Sequence, residues 1–115
     1  MGVRHSRSLD GGRTFSPPII LSRGVADANH PALTVNGAGR VHVLFQARPS
    51  GWAPLRPYVA EVTTQETVKR GIRTVPGKYA GVSYPSGLFD TAGRLWVVWT
   101  GGGSAQLARA REETR

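Results

Sequence analysis

The feature that most constrains this chain is an internal repeat. His30-Pro31-Ala32-Leu33-Thr34-Val35-Asn36-Gly37-Ala38-Gly39-Arg40-Val41-His42-Val43-Leu44-Phe45-Gln46 aligns without a gap on Tyr84-Pro85-Ser86-Gly87-Leu88-Phe89-Asp90-Thr91-Ala92-Gly93-Arg94-Leu95-Trp96-Val97-Val98-Trp99-Thr100, at an offset of 54 residues. Pro31/Pro85, Ala38/Ala92, Gly39/Gly93, Arg40/Arg94 and Val43/Val97 are identical, and Asn36/Asp90, Val41/Leu95, Leu44/Val98 and Phe45/Trp99 keep their physical character. Each copy reads as a strand, a tight turn from Asn or Asp to Gly, and a second strand. Val41 to Phe45 and Leu95 to Trp99 are short and rich in β-branched and aromatic residues, as a buried strand requires. Gly39 and Gly93 supply the positive φ that such a hairpin demands.

Further strands are expected at Val3 to Ser8, Pro57 to Thr64, Gly71 to Val75 and Ala105 to Ala110. With 15 glycines and 8 prolines among 115 residues, long helices have little room. The chain is all-β in expectation. A hairpin recurring every 40 to 50-odd residues is the mark of a β-propeller blade, a four-stranded antiparallel unit stacked on its neighbours.

Near the start stands Ser8-Leu9-Asp10-Gly11-Gly12-Arg13-Thr14-Phe15. This segment resembles the Asp-box, or bacterial neuraminidase repeat, whose pattern is Ser-x-Asp-x-Gly-x-Thr-Trp/Phe; Ser8, Asp10, Gly12, Thr14 and Phe15 fill its defining positions. Ser8 and Asp10 are short enough to bond the amides of a tight turn, and Gly11 and Gly12 accept dihedrals that other residues avoid. Phe15 is then expected to drop back into the apolar layer. The resemblance implies a sialidase-like β-propeller in which the box joins the third and fourth strands of a blade, away from the active-site end. Residues 1–23 would end one blade, 30–76 form a second and 84–111 begin a third, about two blades where the family has six. Such an open array leaves apolar sheet faces uncovered. The expectation is a partial β-propeller that belongs to a longer protein or assembles with copies of itself.

The resemblance also implies what catalysis would require: three arginines around a substrate carboxylate, a tyrosine nucleophile with a glutamate partner, and an aspartate acid/base. The Arg-Ile-Pro stretch that supplies the first arginine is absent, and Asp10, Asp90 and Asp27 read as box, hairpin and loop residues. Tyr84, nine residues before Gly93, stands where the family places its nucleophile, with Glu61 or Glu66 as partner and Arg56, Arg70 and Arg73 as carboxylate binders. Against this, His30 holds the same place in the other repeat, so position 84 also reads as a ring at the start of a strand. Trp52, in the proline-rich segment from Ala47 to Pro57, is either an exposed surface for stacking a sugar or a plug beneath the loop.

Other classes are weaker. The net charge of +8 invites a nucleic-acid reading, but the arginines are scattered from Arg4 to Arg115, and Phe15, Phe45, Trp96 and Trp99 sit in apolar stretches that read as core. No cysteine is present, and His5, His30 and His42 lack the spacing of a metal site, so no metal or cofactor is called for. Gly101-Gly102-Gly103 is followed by no Lys-Ser/Thr pair and reads as a plain loop. No apolar run is long enough to cross a membrane as a helix, and nothing in the chain directs it to a compartment. The functional expectation is a sialidase-family, Asp-box glycoside-hydrolase-like fragment that acts on or binds glycans and is inactive alone. The alternative is a non-catalytic Asp-box scaffold, and the third reading is a small basic β domain on nucleic acid.

Overall fold

A computed structural model describes the backbone of residues 2–62, 68–74, 83–101 and 104–111, and the side chains of residues 2–62 and 84–100. The described residues form nine strands and no helix: β1 (Arg4–His5), β2 (Ile19–Ile20), β3 (Ala26–Val35), β4 (Val41–Arg48), β5 (Arg56–Val62), β6 (Val68–Thr74), β7 (Ser83–Phe89), β8 (Arg94–Gly101) and β9 (Ser104–Arg111). All pairings are antiparallel, in sheets ordered β1-β2, β3-β4-β5-β6 and β7-β8-β9.

The two repeats fold alike, turn for turn. Gly39 N donates to Asn36 O and Asn36 N to Arg40 O, while Gly93 N donates to Asp90 O and Asp90 N to Arg94 O. Both glycines lie at φ 80°, the left-handed position after a type I turn in a three-residue hairpin loop. The Asn36 and Asp90 side chains do the same work: Oδ1 of each accepts the amides two and four residues on, at 2.9–3.0 Å. An aspartate therefore replaces an asparagine here without changing the turn.

Alternation on β4 explains the layering. Val43, Phe45 and Ala47 face the β1-β2 sheet, where they pack with Val3, Leu21, Ala28, Tyr58 and Ala60. Leu44 points the other way, into a second cluster with Val59, Leu95, Val97 and Trp99. Because side chains alternate along a strand, burying both faces gives the unbroken buried run from His42 to Ala47. The middle sheet is thus a layer between two others.

Several expectations change. The first strand of the repeat begins at Ala26 rather than His30, so Asp27 stands inside β3 and not in a loop. Two register shifts, between Ala26 and Asn29 and between Asn29 and Ala32, let the strand run on through irregular pairing. The amino-terminal ladder is shorter than expected: only Arg4 and His5 pair, with Ile20 and Ile19. Pro17 and Pro18 offer no amide hydrogen, and Arg7 N bonds instead to Ser16 Oγ at 2.9 Å. Thr63, Thr64 and Val75, expected at strand ends, lie outside the described residues.

Phe45 and Trp99 are buried as expected, but Phe15 is 64% exposed. The apolar floor under β1 and β2 is built from β4 and β5, and Phe15 lies beyond it. Trp96 is half-buried on the outer face of the third sheet, where its Nε1 donates to Asp90 Oδ2 at 2.8 Å.

Candidate functional site

The Asp-box turn closes as its residue types require. Ser8 Oγ accepts from the amides of Asp10 (3.3 Å) and Gly12 (2.8 Å) and donates to Asp10 Oδ1 at 2.8 Å. Asp10 Oδ1 accepts the amides of Arg13 and Thr14, both at 3.0 Å, and Oδ2 accepts the Thr14 hydroxyl at 2.6 Å. Gly11 and Gly12 take φ of 76° and 96°. These bonds, the Thr14 hydroxyl foremost, hold the Asp10 carboxyl well below the usual carboxylate range. A carboxylate so engaged is a turn former and has no proton to give near neutral pH. The box lies at the end of the β1-β2 ladder away from the Ser22–Val25 link into β3.

That link leads to the other end of the sheets, and there the candidate site lies. His30 and Tyr84, equivalent in the repeat, both adopt left-handed backbone, at φ 53° and 57°. Bulky residues rarely do so, and where they do the surroundings must compensate. Each sits in a bulge: the register shifts between Asn29 and Ala32 on β3, and between Ser83 and Ser86 on β7. A bulged residue is skipped by the ladder, and for Tyr84 the buried Gln46 side chain takes its place, Tyr84 N donating to Gln46 Oε1 at 2.7 Å. The two rings meet edge to face with centroids 4.3 Å apart, and Tyr84 remains largely exposed.

At the same end, Asp27 adopts φ 53° and accepts from Arg48 Nε at 3.1 Å. Arg48 Nη1 also donates to the Ala53 carbonyl at 2.8 Å, which ties the 49–55 loop to β4. That loop lifts Trp52 to 99% exposure, so the plug reading of Trp52 gives way to the surface reading. Arg56, half-buried, begins β5 opposite Ala47. Nearby, burial raises the Tyr58 hydroxyl pKa, with the Arg56 charge pulling the other way.

The expected Tyr84–Glu61 couple is not what the fold assembles. Glu61 pairs across the ladder with His42, and its carboxylate lies 3.7 Å from His42 Nε2 and 3.8 Å from Arg40 Nη1, buried between sheets. His42 and Gln46 are four residues apart on β4, about 13 Å of extended strand, so Glu61 and Tyr84 belong to opposite ends. Arg70 and Arg73 lie on β6, with side chains outside the described residues, and Glu66 is outside them altogether. Among the described residues no group of three or more His, Cys, Asp or Glu is placed to hold a metal ion, and no helix is long and apolar enough to cross a membrane.

Sequence reasoning missed Asp27, Gln46 and Arg48. Asp27 stands three residues before His30, while Gln46 and Arg48 close the second strand of the first repeat with no signal of their own; the bulges and strand pairing bring the three to one end. No family model, no curated protein and no solved structure matches this chain.

Proposed function

We propose that the three sheets are successive blades of an Asp-box, sialidase-like β-propeller, and that the end carrying Trp52, His30 and Tyr84 binds glycans without cleaving them. The blade reading is supported by the closed Asp-box turn and by two repeats that share hairpin, bulge and face. The glycan reading rests on one observation above all: a fully exposed tryptophan on a loop anchored by the Arg48–Asp27 ion pair, at the sheet end where the Tyr84 ring is also exposed. An aromatic face stacks on the C–H face of a sugar while charged and amide groups beside it take the hydroxyls, a division of labour usual in ligand sites.

Binding is favoured over turnover because each of the four carboxylates among the described residues already serves the fold. Asp10 closes the box, Asp27 pairs with Arg48, Glu61 is buried beside His42, and Asp90 holds Arg94 and Trp96. The mechanism implied by the resemblance pairs a tyrosine nucleophile with a carboxylate, and among the described residues Tyr84 has His30 and Gln46 beside it.

The test is a glycan array of sialylated, sulfated and neutral oligosaccharides, run with wild type and Trp52→Ala, beside hydrolysis of a fluorogenic sialoside. Binding that is lost in Trp52→Ala, with no hydrolysis, is expected. No binding to any glycan overturns the glycan reading; hydrolysis that disappears in Tyr84→Phe overturns the non-catalytic one.

A further inference from the structure

The contact between the middle and third sheets is a contact between two copies of one repeat. On the middle sheet it uses Leu44, fully buried, and His42, whose ring meets Phe89 edge-on with centroids 4.8 Å apart. On the third sheet the covering strand offers Gly87 and Phe89, and a Cβ on Gly87 would come within 2.9 Å of Leu44 Cδ1. Shifted by 54 residues, part of each half of this contact reappears on the surface; the equivalents of Val97 and Trp99, Val43 and Phe45, are already covered by Val3 and Leu21, while the β3 side of the same face stays exposed. Leu44 corresponds to Val98, which is 41% exposed, with exposed Leu88 on the same face. Gly87 and Phe89 correspond to Leu33, 71% exposed, and Val35, also exposed; both pair with β4 residues on the face opposite Leu44.

We propose that a second copy of this chain docks head to tail, its β3 face at Leu33 and Val35 seated on the open third-sheet face at Leu88 and Val98, repeating between chains the sheet contact made within one. Both patches are apolar, and sheets stack face to face at about 10 Å, as the repeat already does internally. The contact is heterologous, with different patches on the two partners, so it propagates to a ring or a filament rather than stopping at a two-fold dimer. A net charge of +8 opposes it by like-charge repulsion, so added salt strengthens the association. The proposal is independent of glycan binding, which lies at the other end of β4.

The test is sedimentation velocity over the micromolar range at low and high salt, on wild type, Val98→Arg and Leu33→Arg. Wild type forms species larger than a dimer, more so at high salt; each variant alone stays monomeric; an equimolar mixture of the two, each retaining one intact patch, forms a one-to-one dimer and nothing larger. Circular dichroism verifies that the variants fold, and Val98→Thr with Leu33→Thr, read as a weakened association constant, stands in if arginine prevents folding. A wild type that stays monomeric at all concentrations and salts overturns the proposal, as does a mixture that remains monomeric or a wild type that stops at a dimer.

Discussion

Replacing Gly87 with alanine tests the packing around β7, where the β8 backbone of its own sheet and Leu44 of the middle sheet both close on the same point. A Cβ there would strike the backbone carbonyl oxygen of Trp96 and come within 2.9 Å of Leu44 Cδ1. The leucine methyl can swing aside, but the carbonyl belongs to β8 and cannot move without disturbing the β7-β8 ladder. Overpacking of this kind costs about 1–3 kcal/mol when side chains can adjust, and a backbone obstacle places Gly87→Ala at the upper end, about 3 kcal/mol. For a chain of 115 residues that is a fall in Tm on the order of 12 °C. Urea unfolding, with the midpoint read at constant slope, measures it. Leu44→Ala added to Gly87→Ala should restore only a minor part, because the carbonyl contact remains. The equivalent repeat position, Leu33, is exposed beyond the cover that Val3 and Leu21 give the same face, so Leu33→Ala should change stability by less than about 0.5 kcal/mol. A Gly87→Ala protein within 1 kcal/mol of wild type, by the same scale, would refute the close fit of Gly87 against the β8 backbone and Leu44.

Other consequences can be checked with the same equipment. Phe45→Ala removes a fully buried ring stacked on Tyr58 at 5.8 Å and should cost about 3–5 kcal/mol in urea unfolding. Gly93→Ala, at φ 80° with open space around it, should cost about 1–2 kcal/mol from backbone strain alone. Asp10 and Asp90 have pKa values depressed in the fold, Asp10 chiefly by the Thr14 hydroxyl and Asp90 chiefly by the Trp96 indole N–H. A depressed folded pKa means stability that is complete above the unfolded value near 4 and is lost as pH falls below it toward the folded values. Asp90→Asn should therefore flatten the acid limb of a stability–pH profile below pH 4 and leave its shape near neutrality unchanged. Trp52→Ala, at a side chain with almost no contacts, should leave the unfolding midpoint in place.

The sequence disclosed the fold wherever the chemistry is local. The turn residues Asn36, Asp90, Gly39 and Gly93, the box residues Ser8, Asp10 and Thr14, and the alternation around Phe45 each act over a few positions, and each behaves as its residue type predicts. What was not legible depends on register. Asp27 and His30 are of types that tolerate a left-handed backbone, but no local pattern places it there, and for Tyr84 the residue type gives no sign of it; tertiary packing imposes it. Phe15 was misplaced for a related reason: an aromatic after a turn is buried only if another layer reaches it. Glu61 looked free in sequence because its partner His42 lies across a ladder whose pairing no local pattern reveals.

The central point is which end of the sheets meets a sugar. A two-dimensional NMR titration of the labelled protein with a glycan from the array locates it. The account predicts saturable shifts at the Trp52 indole, His30, Tyr84 and the Gln46 side-chain amide, with the Asn36–Arg40 and Asp90–Arg94 hairpins unmoved. Shifts centred on those hairpins or on the Ser8–Phe15 turn, or no shift with any glycan, would contradict it.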